Sequence, residues 1–366
     1  MKLGRNILVL LLVALLSFTA TACASRMEAP GTPSPSLEET TPLVPLAASP
    51  NPSTPTVEET PHGRLAMGHL AFMNEQMNRR TSFTYREVRA ANWIAQTLVE
   101  MGHPQENVTL QRFASAIEPI WQEWLDEIEF FGDLEQLNFS QNVILTVPGQ
   151  SEQTIVIGAH YDTFRDYIGA SDNASGVALL LESAQRMRQI NNYYTLVYVF
   201  FGAEEVNLAG ARHFFNSLTT AEQRNILFMF NADVLLEGPY LIYITGVYEN
   251  GRRGENSVTR AWDTLARQLN TPQSLELINL TDVTGIWFSD HEVFYEAGIP
   301  VIFLTGMSRA PDGEFVGDIA HTTQDDLRYI NRRWPGMAEQ NMRAFSLFME
   351  AVLLHQYQAG AASPLQ

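Results

Sequence analysis

Five short segments bring together residue types that could do hydrolytic chemistry. They are GAHYD at 158–162, ASDNASG at 170–176, FFGAEE at 200–205, NAD at 231–233 and AHTTQD at 320–325. Among them are His160, Asp162, Asp172, the adjacent pair Glu204 and Glu205, Asp233, His321 and Asp325. Zinc accepts imidazole nitrogen and carboxylate oxygen, and a catalytic zinc keeps one position for water. Two such ions a few ångströms apart can polarise a carbonyl and generate hydroxide together. The chain has one cysteine, Cys23, far from these segments, so the ligands must be nitrogen and oxygen. Neighbouring glutamates on a loop can point in different directions. One can then ligate while the other stays free to move a proton as general base. Each piece alone has a plainer reading: a packing pair for His-x-Asp, a solvated pair for Glu-Glu, a helix cap for SDNASG. Their joint occurrence, each at a strand or loop end, points to a metal site.

The elements that must position these residues alternate in type. Val108–Phe113, Val143–Val147, Thr154–Ala159, Thr195–Phe201, Ile226–Phe230, Tyr240–Thr245 and Pro300–Leu304 have strand composition. Helices are expected over about Gly176–Ile190 and Gly210–Ser217, and from Pro335 to His355 with an apolar stripe through Met342, Phe345, Met349 and Val352. Thr84-Tyr-Arg-Glu87 has the form of a capping box opening a further helix, which Gly102 stops. Apolar strands alternating with helices predict an α/β fold, a three-layer αβα sandwich around a mostly parallel mixed sheet. In such sheets ligand sites gather at the carboxyl ends of strands. His160 and Asp162, Glu204 and Glu205, and Asp233 each follow a predicted strand. Asp172 precedes a helix, where an acid is favoured. The Trp- and Phe-containing segment 114–140 reads as an insertion of undetermined structure.

Net charge is −18, which argues against nucleic-acid binding because phosphates would be repelled. Residues 1–23 read as a signal peptide: Lys2 and Arg5 precede the apolar run Ile7–Phe18, which is short for a membrane span. Cys23 after Ala20-Thr21-Ala22 resembles a bacterial lipobox, with Ala20 where leucine is usual. A lipid anchor at Cys23 and export to the cell surface or periplasmic side are expected. Residues 24–62, rich in Pro, Ser and Thr, read as a disordered linker and 63–366 as the folded domain.

GAHYD, DNASGVA, FGAEE and HTTQD together resemble the M28 family of zinc aminopeptidases, which includes secreted leucyl-type aminopeptidases of bacteria. The resemblance implies a zinc-exopeptidase-like fold and two zinc ions per chain. It implies that Asp172 bridges both metals, that His160 and Asp233 complete one, and that Glu205 and His321 complete the other. Glu204 would be the catalytic base, Asp162 would orient His160, and Asp325 would support the loop carrying His321. Ser289-Asp290-His291, with Phe294 and Gly298-Ile-Pro300, also resembles a family segment lining the site. Asp290 is assigned to the substrate side or to supporting a ligand, and His291 to packing. The family's occasional tyrosine before the second histidine is replaced here by Ala320.

The expected activity is hydrolysis of the N-terminal residue from peptides with a free N-terminus, by a monomer. An alternative is a glutaminyl-cyclase-like zinc acyltransferase on the same fold, because Asp290-His291 followed by Phe294 suits it too. A carboxypeptidase or dipeptidase is a further alternative. A non-catalytic binding protein would be expected to lack a ligand or the base, and none is missing.

Overall fold

The structure, a computed structural model, describes residues 60–115, 117–249, 252–269, 277–281 and 288–362. The expected signal peptide, Cys23 and all but the last residues of the expected linker lie outside the described residues.

Strand composition and burial on both faces build the centre of the molecule. Among the described residues ten strands form the sheet: β1 Val108–Ala114, β2 Phe139–Val147, β3 Ser151–His160, β4 Tyr194–Phe201, β5 Ile226–Ala232, β6 Tyr240–Glu249, β7 Arg252–Gly254, β8 Leu277–Asn279, β9 Val301–Arg309 and β10 Phe315–Val316. Their order is β1-β2-β4-β3-β5-β9-β6-β7, with β8 on β6 and β10 on β9. The four central strands, β4-β3-β5-β9, run parallel, and the flanking pairs β1–β2, β2–β4 and β9–β6 are antiparallel.

Successive side chains of a strand face opposite sides, and the two cores follow that period. Ile155, Ile157 and Ala159 of β3, and Phe228, Phe230 and Ala232 of β5, enter the larger core. Val156 and Met229 between them enter the smaller one. The larger core is closed by α1 Arg64–Gln76, α2 Tyr85–Glu100, α4 Gly176–Met187, α7 Ser257–Leu269 and α10 Met337–Ala362. The smaller is closed by α5 Ala209–Ser217 and α8 His291–Glu296. The result is the expected three-layer α/β sandwich, with antiparallel pairing on both flanks of a parallel centre.

Several local expectations change. Thr84 does cap α2, but its side chain bonds the Thr81 carbonyl and makes no cap bond. Glu87 is buried and bonded to Phe83, Ser140 and Ala203, a tertiary role that removes it from the expected capping box. The last helix begins at Met337, and Pro335 falls between it and a separate short helix, α9 Leu327–Arg333. The insertion 114–140 contains α3 Pro119–Glu127; Leu125 on this helix and Phe130 beyond it pack with Phe83, Phe113, Ala203 and Val206. The short α6, Thr220–Asn225, is opened by a capping box at Thr219 and Glu222.

Candidate metal centre

Three neighbouring parallel strands end at one edge of the sheet and bring most of the polar cluster with them. His160 is the last residue of β3, Glu204 and Glu205 lie in the turn after β4, and Asp233 follows β5 directly. Asp172 comes from a tight irregular turn, Ala170–Ser175, that leads into α4, and its peptide bond to Asn173 is cis. His321 lies in the loop after β10 with a left-handed backbone, φ 55°.

The six nitrogen- and oxygen-bearing residues converge. His160 Nε2 is 3.1 Å from Asp233 Oδ1 and 3.2 Å from Asp172 Oδ1. His321 Nε2 is 3.1 Å from both Asp172 Oδ2 and Glu205 Oε2. Glu204 Oε2 stands 4.0 Å from His160 Nε2. One carboxylate, Asp172, therefore faces both imidazoles with different oxygens. Phe164 stacks on the His321 ring at 4.3 Å between centroids, and Trp124 and Phe130 of the insertion lie against Phe164. The insertion thus packs on the wall beside His321.

Buried carboxylates fix this arrangement through main-chain amides. Asp162 Oδ1 accepts from Glu204 N at 3.0 Å and Oδ2 from Glu205 N at 3.2 Å, while Ser82 Oγ donates to Oδ2 at 2.6 Å. His160 Nδ1 is 3.5 Å from Asp162 Oδ1 and makes no hydrogen bond among the described residues. Asp325 accepts from Ser171 N at 2.5 Å and Asp172 N at 3.0 Å, so its carboxylate serves the Asp172 turn. The loop carrying His321 is held by Glu237, which accepts from the amides of Asp318, Ile319 and Ala320. Glu87 takes Ala203 N at the start of the Glu204–Glu205 turn. Ser289 Oγ donates to Asp233 Oδ2 at 2.8 Å and is itself held by Asn231. Arg80, wholly buried, donates to the carbonyls of Tyr161, Met77, Ile168 and Gly169.

Glu237 and Arg80 had no role in the sequence reading, and Glu87 entered it only as part of a helix cap. Only Ser289 carried a signal, its place beside Asp290. Asp290 is fully buried, and neither of its carboxylate oxygens has a hydrogen-bond partner among the described residues. His291 packs: its ring stacks on Phe303 at 4.4 Å, and burial pulls it down to about 3.

Charge accumulates here. Burial, then repulsion from Glu205, Asp290 and Asp233, raises Glu204 well above the usual carboxylate range, against the pull of His160. Burial likewise pushes Glu205 up to about 7. Burial opposes charge on His160 and His321, but the surrounding carboxylates outweigh it and raise both. A buried anionic cluster of this kind calls for a compensating cation. Two overlapping sets, His160-Glu204-Asp233 and His160-Asp172-Glu205, place single donor atoms within 4.8 Å of one another. Glu205 Oε1 is buried without a hydrogen-bond partner among the described residues. Donor types, burial and convergence all fit divalent ions such as zinc, whose ligands are His nitrogen and carboxylate oxygen.

An α/β sandwich with acids and imidazoles at the carboxyl edge of its parallel strands defines a class of metal-site folds, and the sequence narrows it. Residues 142–346 match the description "Peptidase family M28", and the chain belongs to that family. Aminopeptidase YwaD of Bacillus subtilis (strain 168) is 28% identical over 179 residues, which cover 49% of this chain and 37% of that protein. The match thus spans little more than a third of that relative's length. In fold, the chain is similar to BSAP, a zinc aminopeptidase from Bacillus subtilis, with a TM-score of 0.63, 19% identity, and 81% of this chain and 95% of that one covered. It is similar to an Acidobacteriales bacterium glutaminyl cyclase with a TM-score of 0.62, 20% identity, and 86% and 100% covered.

Proposed function

We propose that residues 63–366 form a co-catalytic two-zinc aminopeptidase that releases N-terminal residues from peptides. The observation that carries this reading is Asp172, whose two oxygens lie 3.2 Å from His160 Nε2 and 3.1 Å from His321 Nε2. His160 and Asp233 with one Asp172 oxygen would hold one ion, and Glu205 and His321 with the other oxygen would hold the second. When bound, such ions polarise a carbonyl and acidify water.

The chain's own residues do the rest. Glu204, 4.0 Å from His160 Nε2, accepts the proton of the attacking water on a carboxylate oxygen and returns it to the leaving amine. Asp162 holds the amides of Glu204 and Glu205, so base and ligand keep their separate directions. Carboxylates near the ions hold the substrate's free N-terminal ammonium, which limits attack to the first peptide bond. Ala320 brings no hydroxyl to the oxyanion. The domain acts as a monomer, exported by residues 1–23 and tethered through lipid on Cys23 by the linker 24–62. Mass spectrometry showing an unmodified mature N-terminus downstream of Cys23 would end the tether part of this reading.

A one-zinc acyltransferase, cyclising an N-terminal Gln with release of ammonia, is favoured by one observation: the buried, unpartnered Asp290 in Asp290-His291-x-x-Phe294. The deciding experiment is metal content of the purified protein together with a panel of aminoacyl-anilides and an N-terminal Gln peptide. Two zinc ions with chelator-sensitive anilide release is the expected result. One zinc ion with cyclisation and no release would overturn it in favour of the acyltransferase.

A further inference from the structure

We propose that Glu237 is a positioning residue that sets the affinity of the metal position built on His321, acting entirely through backbone. The inference rests on the two-metal reading above.

Glu237 lies four residues beyond Asp233, on the segment joining β5 to β6, and is 1% exposed. That segment is rigidly fixed. Leu235 N and Leu236 N donate to Ser175 Oγ and Ser171 Oγ at 3.1 and 3.0 Å. Asn341 Nδ2 donates to the carbonyls of Leu235 and Gly238 at 3.0 and 2.9 Å, on either side of Glu237. From this base its carboxylate reaches Asp318 N at 2.5 Å and Ile319 N at 3.0 Å through Oε2, and Ala320 N through Oε1. Three successive amides converging on one buried carboxylate form an anion-binding concavity occupied by the protein's own side chain. Its oxygens are committed to amides, so it is not placed to ligate a metal itself.

The loop needs such a holder. His321 sits at φ 55°, a left-handed conformation that a non-glycine residue keeps only where its surroundings impose it. Its side chain is 49% exposed, whereas Asp172 and Glu205 are 7% and 5% exposed. Packing on His321 comes from Phe164, and the following turn is closed by Thr322 Oγ1 on the Ile319 carbonyl. Asp318 is fixed a second time by a two-pronged pair with Arg333. Glu237 is the buried end of this assembly. The other position has different supports: His160 is inside β3, and Asp233 is held by Ser289. Loss of the Glu237 carboxylate therefore frees His321 and leaves His160 and Asp233 in place.

The test is competition titration of zinc against a chromophoric chelator with full-length wild type, Glu237→Gln and Glu237→Ala, resolving the two binding constants separately. Loss of a supporting partner of a ligand lowers metal affinity by about 10–100-fold. One constant should fall by that factor in the Ala variant and by less in Gln, which keeps one acceptor oxygen and the side-chain volume. The other constant should not change. Two constants falling together, or neither falling, would overturn the role of Glu237 while leaving the two-metal site standing. Fewer than two zinc ions on the wild type would instead overturn the two-metal reading, and this inference with it.

Discussion

Replacing Asp162 by Asn tests how the metal edge is held. The change keeps shape and volume but turns one acceptor oxygen into a donor NH2. Asp162 is fully buried. Its Oδ1 faces Glu204 N at 3.0 Å and His160 Nδ1 at 3.5 Å, and its Oδ2 faces Glu205 N at 3.2 Å and Ser82 Oγ at 2.6 Å. Whichever way the Asn amide turns, its NH2 meets a backbone N–H. The less costly orientation keeps the oxygen toward His160 and Glu204, because the Ser82 hydroxyl can rotate to accept while Glu205 N cannot. One hydrogen bond to a charged acceptor is then lost, worth about 1.5–3 kcal/mol. The neutral amide also orients His160 less firmly, which predicts a fall in zinc affinity of about 10–100-fold. Urea unfolding of metal-free protein measures the first quantity and chelator competition the second. An Asn variant matching wild type in both would refute the claim that Asp162 organises the edge.

Three further outcomes are expected. Glu204→Gln should retain its zinc yet lose activity by about 100- to 10,000-fold, the range of general acid–base catalysis, read from kcat beside metal analysis; an active, metal-loaded variant would remove Glu204 as the base. Gly176→Ala should destabilise although alanine is the better helix former, because its Cβ would lie 2.3 Å from the Ala232 carbonyl oxygen and 2.5 Å from Asn173 Oδ1. Overpacking of this kind costs about 1–3 kcal/mol, and a raised thermal midpoint would contradict it. His291, held at about 3 by burial against an ordinary value of 6.5, is neutral in the fold while the unfolded chain takes up a proton below 6.5. Its contribution to stability is therefore complete above pH 6.5 and is lost as pH falls toward 3, by about 2 kcal/mol at pH 5. His291→Leu should flatten that acid limb, and parallel profiles for variant and wild type would refute the assignment.

The strand ends were readable because β3, β4 and β5 announce themselves by apolar runs, and a polar residue just past such a run has few structural reasons to be there. His160, Glu204, Glu205 and Asp233 were found that way, and the structure brings them to one edge with Asp172 and His321. Their supports were hidden for a physical reason. Glu87 and Glu237 bond to backbone N–H groups, which every residue but proline possesses, so no pattern of side chains betrays the pairing; Asp325, named from the resemblance as a support of the His321 loop, accepts instead from the amides of Ser171 and Asp172. Glu87 lies 116 residues from Ala203 and Glu237 lies 83 from Ala320. At Thr84 the local rule misled, since Ser140 and Ala203 captured one oxygen of the glutamate and the Phe83 amide, one residue before the cap, took the other. The insertion resisted reading because α3 buries Leu125 alone among its nine residues, too narrow a face to show a period.

Holding the loops by their amides has a consequence for how this protein can change. Asp162, Asp325, Glu237 and Glu87 grip Glu204 and Glu205, Ser171 and Asp172, Asp318 to Ala320, and Ala203 by their main-chain amides. A position such as Ala320 can then drift in identity and reshape the rim around a fixed geometry. Proline, lacking the N–H, is the one residue the scaffold refuses at every gripped position. Diversification of specificity and preservation of the metal edge are thereby written into different atoms of the same loops.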